Sequence, residues 1–333
     1  MNGTLLRFGR RIAPQLITLA VVVAMIGIVF PGFFDTSIAN GRLYGSPVDI
    51  LNRGAPVALL AIGMTLVIAT GGIDLSVGAV MAICGAIAAT LISEGYGLPA
   101  TLAVSLGAGL LCGLWNGLLV AVLGIQPIVA TLILMVAGRG IAQLVTEGMI
   151  RTFSHEGFAS LGSGKLLWLP TPVVIWLCAG ILATLVVRRT ALGMLIEAVG
   201  INRRASMLAG VNARLLIVTV YMVSGLCAAL AGLIVTADIR GADANNAGLF
   251  LELDAILAVV VGGTSLLGGH FSLIASLIGA MIIQAINTGI LVAGFPPEFN
   301  LVIKAVIVLA ILVLQSPALQ GAAMLFSRGK GQP

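Results

Sequence analysis

The sequence predicts an all-α, polytopic membrane protein of about ten transmembrane helices, and three observations carry that expectation. Hydrophobic residues make up 59% and charged residues only 9% of the 333, whereas a soluble domain carries about 25% charged residues. Mean hydropathy is +1.17. Apolar runs long enough to cross a hydrocarbon core of about 30 Å, which takes about 20 apolar residues per helix, recur from one end of the chain to the other. Residues 1–333 therefore read as a single transmembrane domain with no separate soluble module.

Each run has its own punctuation. The first, residues 12–30, follows Arg7, Arg10 and Arg11 and so imitates a secretory signal. Its length, and the lack of a small-residue cleavage site after it, predict an uncleaved first helix instead. The second and third runs, 54–70 and 76–92, are separated by "ATGGIDLSVG", Ala69 to Gly78, which sets Asp74 between two greasy helices. An ionised carboxylate at mid-bilayer costs about 2.5 to 3.5 kcal/mol on insertion scales, so Asp74 must face protein, water or a boundary. Gly71 and Gly72 permit a sharp turn, and Asp74 or Ser76 can cap the first N–H groups of the third helix. Capping is the plainer role for this pair; contact with a passing solute is a second and a proton relay a third.

The fourth run, 100–123, carries Gly109, Gly113 and Gly117 at every fourth position. Such a stripe lets another backbone approach closely, and Asn116 beside it can bridge helices or line a path. The fifth run, 127–146, begins behind Gln126. The sixth, 170–187, follows "EGMIRTFSHEGFASLGSGKLLWLP", whose Gly, Ser and Pro content predicts turns rather than a folded domain. After it comes "RRTALGMLIEAVGINRRASMLAGVNAR", Arg188 to Arg214, long and basic, with helix-like apolar spacing at Leu195, Ala198, Val199, Ala205 and Leu208. It is an amphipathic piece without the hydropathy of a span.

The seventh run, 214–235, leads into "DIRGADANNAGLFLELD", which gathers Asp238, Asp243, Asn245, Asn246, Glu252 and Asp254 at a helix mouth. Carboxylates and amides there can hydrogen-bond the neighbouring hydroxyls of a sugar, or they can simply solvate a turn. The eighth and ninth runs, 252–267 and 271–292, flank "GGTSLLGG". With its preceding residues this segment is weakly like "VIATGGIDLSVG", so a repeated helix-corner-helix element stays open. Gln284 and Asn287 are polar groups inside the ninth run, able to line a pore or to bond between helices. The tenth run is 299–315.

Ten crossings put both termini on one side. Arg7, Arg10, Arg11, Arg188, Arg189, Arg203, Arg204, Arg214, Arg328 and Lys330 fall there, ten of the 17 basic residues, while ten of the 12 acids fall opposite. The clustering predicts N-in, C-in. Net charge of +5 is thus accounted for by topology, and nucleic acid is not an expected partner. Cys84, Cys112, Cys178 and Cys227 lie within expected spans and share no CxxC spacing, so neither a disulfide framework nor a metal site follows. His155 and His270 have no metal-ligand spacing. "ASLGSGKLL" imitates a phosphate loop but has Ala159 where the first Gly belongs and Leu166 where Ser or Thr would hold magnesium. Enzyme chemistry and nucleotide binding are therefore not expected of this chain.

"GGIDLSVGAVMAICGAI", "GMLIEAVGINRRASMLAGVN", "SGLCAALAGLIVTADIRGADANNAG" and "LDAILAVVVGGTSLLGG" resemble the ribose-type monosaccharide ABC importer permeases of bacteria, and the likeness covers nearly the whole chain. "GRLYGSPVDILNRGAPVALLAIGMTLVIATGGIDLSVG", "QPIVATLILMVAGRG" and "GFPPEFN" are similar, more narrowly, to the galactofuranose branch of that family.

The resemblance implies an ABC permease fold in the bacterial inner membrane. The ATP-binding subunit that uses ATP and magnesium, the periplasmic sugar-binding protein and a second permease are separate partners. That second permease is either a paralogous chain or another copy of this one. The resemblance also implies that a short helix in the 188–214 loop sits in a cleft of the ATPase, so Gly193, Leu195, Glu197, Ala198, Gly200, Asn202 and Gly210 become its expected coupling residues. Asp74, Ser76, Asn116, Gln126, Asp243, Asn245, Asn246, Glu252, Asp254, Gln284 and Asn287 are the expected polar groups of the solute path. The expected function is import of a monosaccharide, galactofuranose; a proton-coupled secondary transporter using Asp74 is the alternative.

Overall fold

A computed structural model describes residues 2–39, 42–166, 168–294 and 297–315. Arg328 and Lys330 of the expected basic clusters lie outside the described residues, as do the side chains of Arg7, Arg10 and Arg11. The helices are α1 (Asn2–Val29), α2 (Ser46–Arg53), α3 (Ala55–Ala69), α4 (Val77–Ser93), α5 (Leu98–Ala121), α6 (Pro127–Val145), α7 (Glu156–Ser163), α8 (Thr171–Arg189), α9 (Leu192–Ile201), α10 (Arg203–Leu208), α11 (Ala213–Ile239), α12 (Leu251–Val261), α13 (Leu273–Val292) and α14 (Pro297–Gln315). Short antiparallel ladders join β1 (Ser37–Ala39) to β2 (Arg42–Tyr44), β3 (Arg151–Thr152) to β6 (Gly241–Ala242), and β4 (Lys165–Leu166) to β5 (Leu169–Pro170).

Every expected run falls on a helix, but the helices are unequal. Among the described residues six are long and apolar enough to cross a membrane by themselves: α1, α5, α6, α8, α11 and α13. The pair α2 and α3, bent by 44° at Gly54, would make a seventh. The expected eighth span shrinks most, because α12 has 11 residues and stops at the Gly262–Gly263 pair. Hydropathy runs on through that pair, while the backbone turns at Gly263 with φ +85°.

α3 is apolar on every face, and all 15 of its residues are buried, which is the pattern of a helix at the centre of a bundle. α11, α12, α13 and α8 pack around it. α5 lies against α11 through the glycine stripe, as its spacing predicts. A Cβ at Gly113 would come within 2.7 Å of Met222 Cα, and one at Gly117 within 2.8 Å of Val218 Cα. Gly225 of α11 faces the Gly109 carbonyl in return.

The expected turn loop before α8 is more ordered than its composition suggests. His155 caps α7 by accepting the Phe158 N–H at 3.1 Å. Phe153 and Phe158 pack edge-on, with ring centroids 5.0 Å apart, over Ala88, Ala237 and Leu233. Two aromatic side chains five residues apart give this segment a small core of its own.

The two glycine corners that look alike in sequence are neighbours in space. Gly269 N–H donates to the Ala69 carbonyl at 2.9 Å, and a Cβ at Gly268 would lie 3.0 Å from Gly71 N. α9 sits on both corners, and this end of the bundle is called the α9 end below.

Candidate functional site

Two non-helical segments penetrate the bundle from opposite ends. The first, residues 70–76, leaves the end of α3 and climbs back beside it. Ser224 Oγ donates to Asp74 Oδ2 at 2.8 Å, and the Cα of Ser224 faces Gly63. Asp74 is therefore level with Gly63, about 9 Å above the end of α3 at 1.5 Å per residue. Asp74 Oδ1 accepts the Ser76 N–H at 3.1 Å and the Ser76 hydroxyl at 2.7 Å. Asn116 Nδ2 donates to Ser76 Oγ at 2.8 Å and approaches Asp74 Oδ1 at 3.5 Å. Asp74, Ser76 and Asn116 are all buried. Ser76 makes no side-chain cap to α4, so Asp74 ties α4, α5 and α11 together rather than capping N–H groups inside the next helix. Its partners are hydroxyls and an amide, not the second acid or the histidine that a proton relay would use.

The second segment is the loop 243–250, which enters from the end opposite α9. Asp243 opens it as an Asx turn, accepting the N–H groups of Asn245 and Asn246 at 3.0 and 3.2 Å and the Asn246 amide at 2.7 Å. The Asn246 amide, those N–H groups and nearby Arg139 hold the Asp243 carboxyl below its ordinary range, against a smaller opposing effect of desolvation. Arg139 of α6 donates to the carbonyls of Ala244 and Ala247 at 3.0 and 2.6 Å, and Gln143 Nε2 donates to Asn245 Oδ1 at 2.6 Å. The loop ends where Gly248, at φ +71°, meets Gly78 backbone to backbone; a Cβ on Gly248 would lie 2.9 Å from Gly78 Cα. Glu252 reaches the same spot, and its Oε2 is buried without a hydrogen-bond partner. Asp254 instead bonds Lys304 of α14 at 2.9 and 3.0 Å in a buried ion pair.

The remaining expected path residues lie elsewhere. Gln126 is exposed at the start of α6, on the α9 side, where its carbonyl accepts the Ala130 N–H. Gln284 and Asn287 face a separate cavity between α2, α8, α11 and α13. The eleven residues thus fall into three places, with Gln126 and Asp254 apart from them, rather than a single site.

At the α9 end the loop helix is wedged by glycines. A Cβ at Gly200 would collide with the Ala69 carbonyl oxygen, and one at Gly193 would stand 2.6 Å from the Val187 carbonyl oxygen. The buried stripe of α9 is Gly193, Ile196 and Val199; Leu195 and Ala198 are half-buried, whereas Ala205 and Leu208 of the expected stripe are exposed. Glu197 Oε2 pairs with His270 Nδ1 at 2.9 Å across to the α12–α13 corner. Asn202 Oδ1 accepts the Ala205 N–H at 3.0 Å and so starts α10. Arg203 Nη2 donates to the Ala121 carbonyl at the end of α5 at 3.0 Å. Gly210, at φ +87°, turns the chain toward α11. Outward from this wedge stand Met194, Ile201, Leu208 and Leu267, the last two 90% exposed. Sequence reasoning gave no role to Ser224, His270, Arg139 or Lys304; of these Arg139 and Lys304 carried a signal, each as a cation inside an apolar run.

Among the described residues no group of three or more His, Cys, Asp or Glu could hold a metal. Comparison with known proteins settles the class of the chain. The family described as "Branched-chain amino acid transport system / permease component" matches residues 46–312. A galactofuranose transporter permease protein of Escherichia coli K12 is 64% identical over 303 residues, 91% of this chain and 89% of that one. A fructose import permease protein of Bifidobacterium longum is 44% identical, over 84% and 79% of the two chains. A ribose import permease protein of Escherichia coli K12 is 38% identical, over 90% and 92%. With its apolar helices and matches of this length, the chain belongs to the branched-chain amino acid transport system permease component family of membrane proteins.

Proposed function

We propose that this chain is the translocation subunit of an ABC importer that carries a monosaccharide, galactofuranose, across the bacterial inner membrane. The 64% identity to a galactofuranose transporter permease over 91% of the chain is the observation that carries the sugar. A permease of this family is not itself an enzyme. Family membership implies an ATP-binding partner, which uses ATP and magnesium, and a substrate-binding partner on the outer side; this chain needs no cofactor of its own.

In the full topology all of residues 1–333 form one permease domain with ten crossings, N-in and C-in. α12 is about 16 Å long at 1.5 Å per residue, and completes its crossing through the turns at its two ends, where Ala244, Gly248, Thr264 and Gly269 are buried against the bundle. The α9 end then faces the cytoplasm. There Met194, Ile201, Leu208 and Leu267 offer apolar surface outside the lipid, and large exposed apolar patches mark partner contacts. The ATP-binding subunit docks on them. Its closure pushes α9, which bears on the ends of α3 and α12 at once through Gly200, Gly268 and the Glu197–His270 pair. The corner 70–76 and the loop 243–250 move relative to each other, and the Gly78–Gly248 contact opens and closes the way. Asp74 and Ser76 hold the moving corner to α5 and α11, while Glu252, Asn245 and Asn246 meet the sugar hydroxyls. The second permease in the complex is a paralogous chain.

The experiment is reconstitution with the paralogous permease and the ATP-binding and sugar-binding subunits in liposomes. ATP-dependent accumulation of galactofuranose is the expected result. Accumulation by this chain alone, driven by a pH gradient and lost in Asp74→Asn, would overturn the proposal.

A further inference from the structure

A cavity of about 300 Å³, walled by both polar and apolar side chains, lies at the end opposite α9 between α2, α7, α8, α11 and α13. Its volume stands at the lower end of small-molecule sites, about 300–1,000 Å³. The break between α2 and α3 forms one wall. The chain bends by 44° at Gly54, and the missing side chain there lets α13 come close, since a Cβ would stand 2.9 Å from Met281 Cε and 3.3 Å from Gln284 Cβ. Broken helices are a recurrent way for transporters to place polar groups inside a membrane.

The lining is layered. Gln284, nearly buried, sits eight residues before the end of α13, about 12 Å deep at 1.5 Å per residue. Asn52 and Asn287 come next, and each has a side-chain oxygen that is buried without a hydrogen-bond partner. Arg53 and Asp238 are exposed at the mouth. Pro56, Pro172 and Ile234 supply apolar walls. Those oxygens are shut off from the cavity, so what Asn52 and Asn287 can offer a solute is the amide N–H. The deep groups are neutral amides, and the charges stay at the rim. A neutral molecule bearing several hydroxyls matches that order; an amino acid, with two charges to bury, does not.

We propose that this cavity is a monosaccharide subsite within a single protomer, in which the Asn52 and Asn287 amides donate to hydroxyl oxygens and Gln284 forms the floor. The proposal rests on the sugar-importer reading above and adds a place where sugar binds to the permease without the binding protein. The Trp176 indole N–H, which donates to the Leu51 carbonyl at 3.2 Å beside Asn52, ties this wall to α8.

The test uses the assembled importer in lipid nanodiscs without its sugar-binding protein, titrated with radiolabelled D-galactose, D-ribose and L-leucine. Saturable binding of the sugars and none of leucine is expected, weakened at least tenfold in Asn52→Leu and in Asn287→Leu. In case those variants fold poorly, Asn287→Cys is labelled with a maleimide, and D-galactose is expected to slow labelling at that position over the wild-type background. Sugar binding unchanged in both leucine variants, no protection of the cysteine, or binding of leucine alone would each overturn the subsite. Absence of sugar binding here, together with ATP-driven uptake once the binding protein is added, overturns the subsite and leaves the importer standing. Absence of any uptake with all subunits present removes the importer itself.

Discussion

The two ends of the bundle are held together by different physics. At the α9 end the joints are backbone against backbone: Gly200 on Ala69, Gly268 on Gly71, and the Gly269 N–H on the Ala69 carbonyl. At the other end, loop 243–250 touches backbone to backbone at Gly248 and Gly78 but is otherwise hung on side chains, with Arg139, Gln143 and Asp243 holding its turns and the Lys304–Asp254 pair holding α14 to α12. Close-packed backbone transmits displacement without slack. Side-chain bonds can be exchanged for water or for a ligand at little net cost. The contrast suits a molecule pushed at one end and opened at the other.

The largest effect expected lies in the side-chain half. Lys304→Met leaves Asp254 buried and unpaired, and removal of one partner from a buried pair costs about 3–5 kcal/mol. Thermal unfolding of the purified complex should register that loss, and adding Asp254→Leu should restore most of it. A single substitution with no change in unfolding would show the pair to be solvated.

Next is Asp74→Ala at the joint between helices. It strips an acceptor from Ser76 and Ser224, and each buried hydroxyl left unsatisfied costs about 1–3 kcal/mol. Thermal unfolding measures this too, while Asp74→Asn, which keeps an acceptor oxygen, should lose less.

Arg139→Leu frees the Ala244 and Ala247 carbonyls, for a cost of about 1–2 kcal/mol. Hydrogen exchange in residues 243–250 should rise, with that at the α9 end unchanged. Faster exchange at both ends would erase the contrast.

The smallest effect is one of pH. The Asp243 carboxyl is held below its ordinary range in the folded chain. Its contribution is therefore complete above the unfolded value of about 3.9 and is lost as pH falls through the lower folded value. Protection of the loop, measured relative to the intrinsic exchange rate at each pH, should fall below that point in wild type and stay level there in Asp243→Asn.

Much of this was written locally. The Gly109, Gly113 and Gly117 stripe predicts a close helix neighbour from spacing alone, and it found α11. The evenly apolar α3 predicts a central position. That Asp74 must face protein or water also follows from the apolar runs around it, but the capping role those runs suggested does not hold. Its bond to Ser224 does not follow, because 150 residues separate them and nothing in either segment points to the other. The same holds for Lys304 and Asp254, 50 residues apart. α12 was misjudged in length because hydropathy reports burial and not helix, and the buried corner at Gly262–Gly263 is as apolar as the helix before it. The spacing around Leu195 and Leu208 found the loop helix and, in Val199, part of its buried face, but not Gly193 and Gly200, which seat it against neighbouring backbone and which hydropathy weighs lightly.

The central claim is that force enters through α9 and reaches the path through its glycine contacts. The direct measurement is the number of sugar molecules imported per ATP hydrolysed by the reconstituted importer carrying Gly200→Ala, whose added methyl would collide with the Ala69 carbonyl while the exposed docking residues stay as they are. The account predicts that hydrolysis continues and the ratio falls at least tenfold. An unchanged ratio would contradict it.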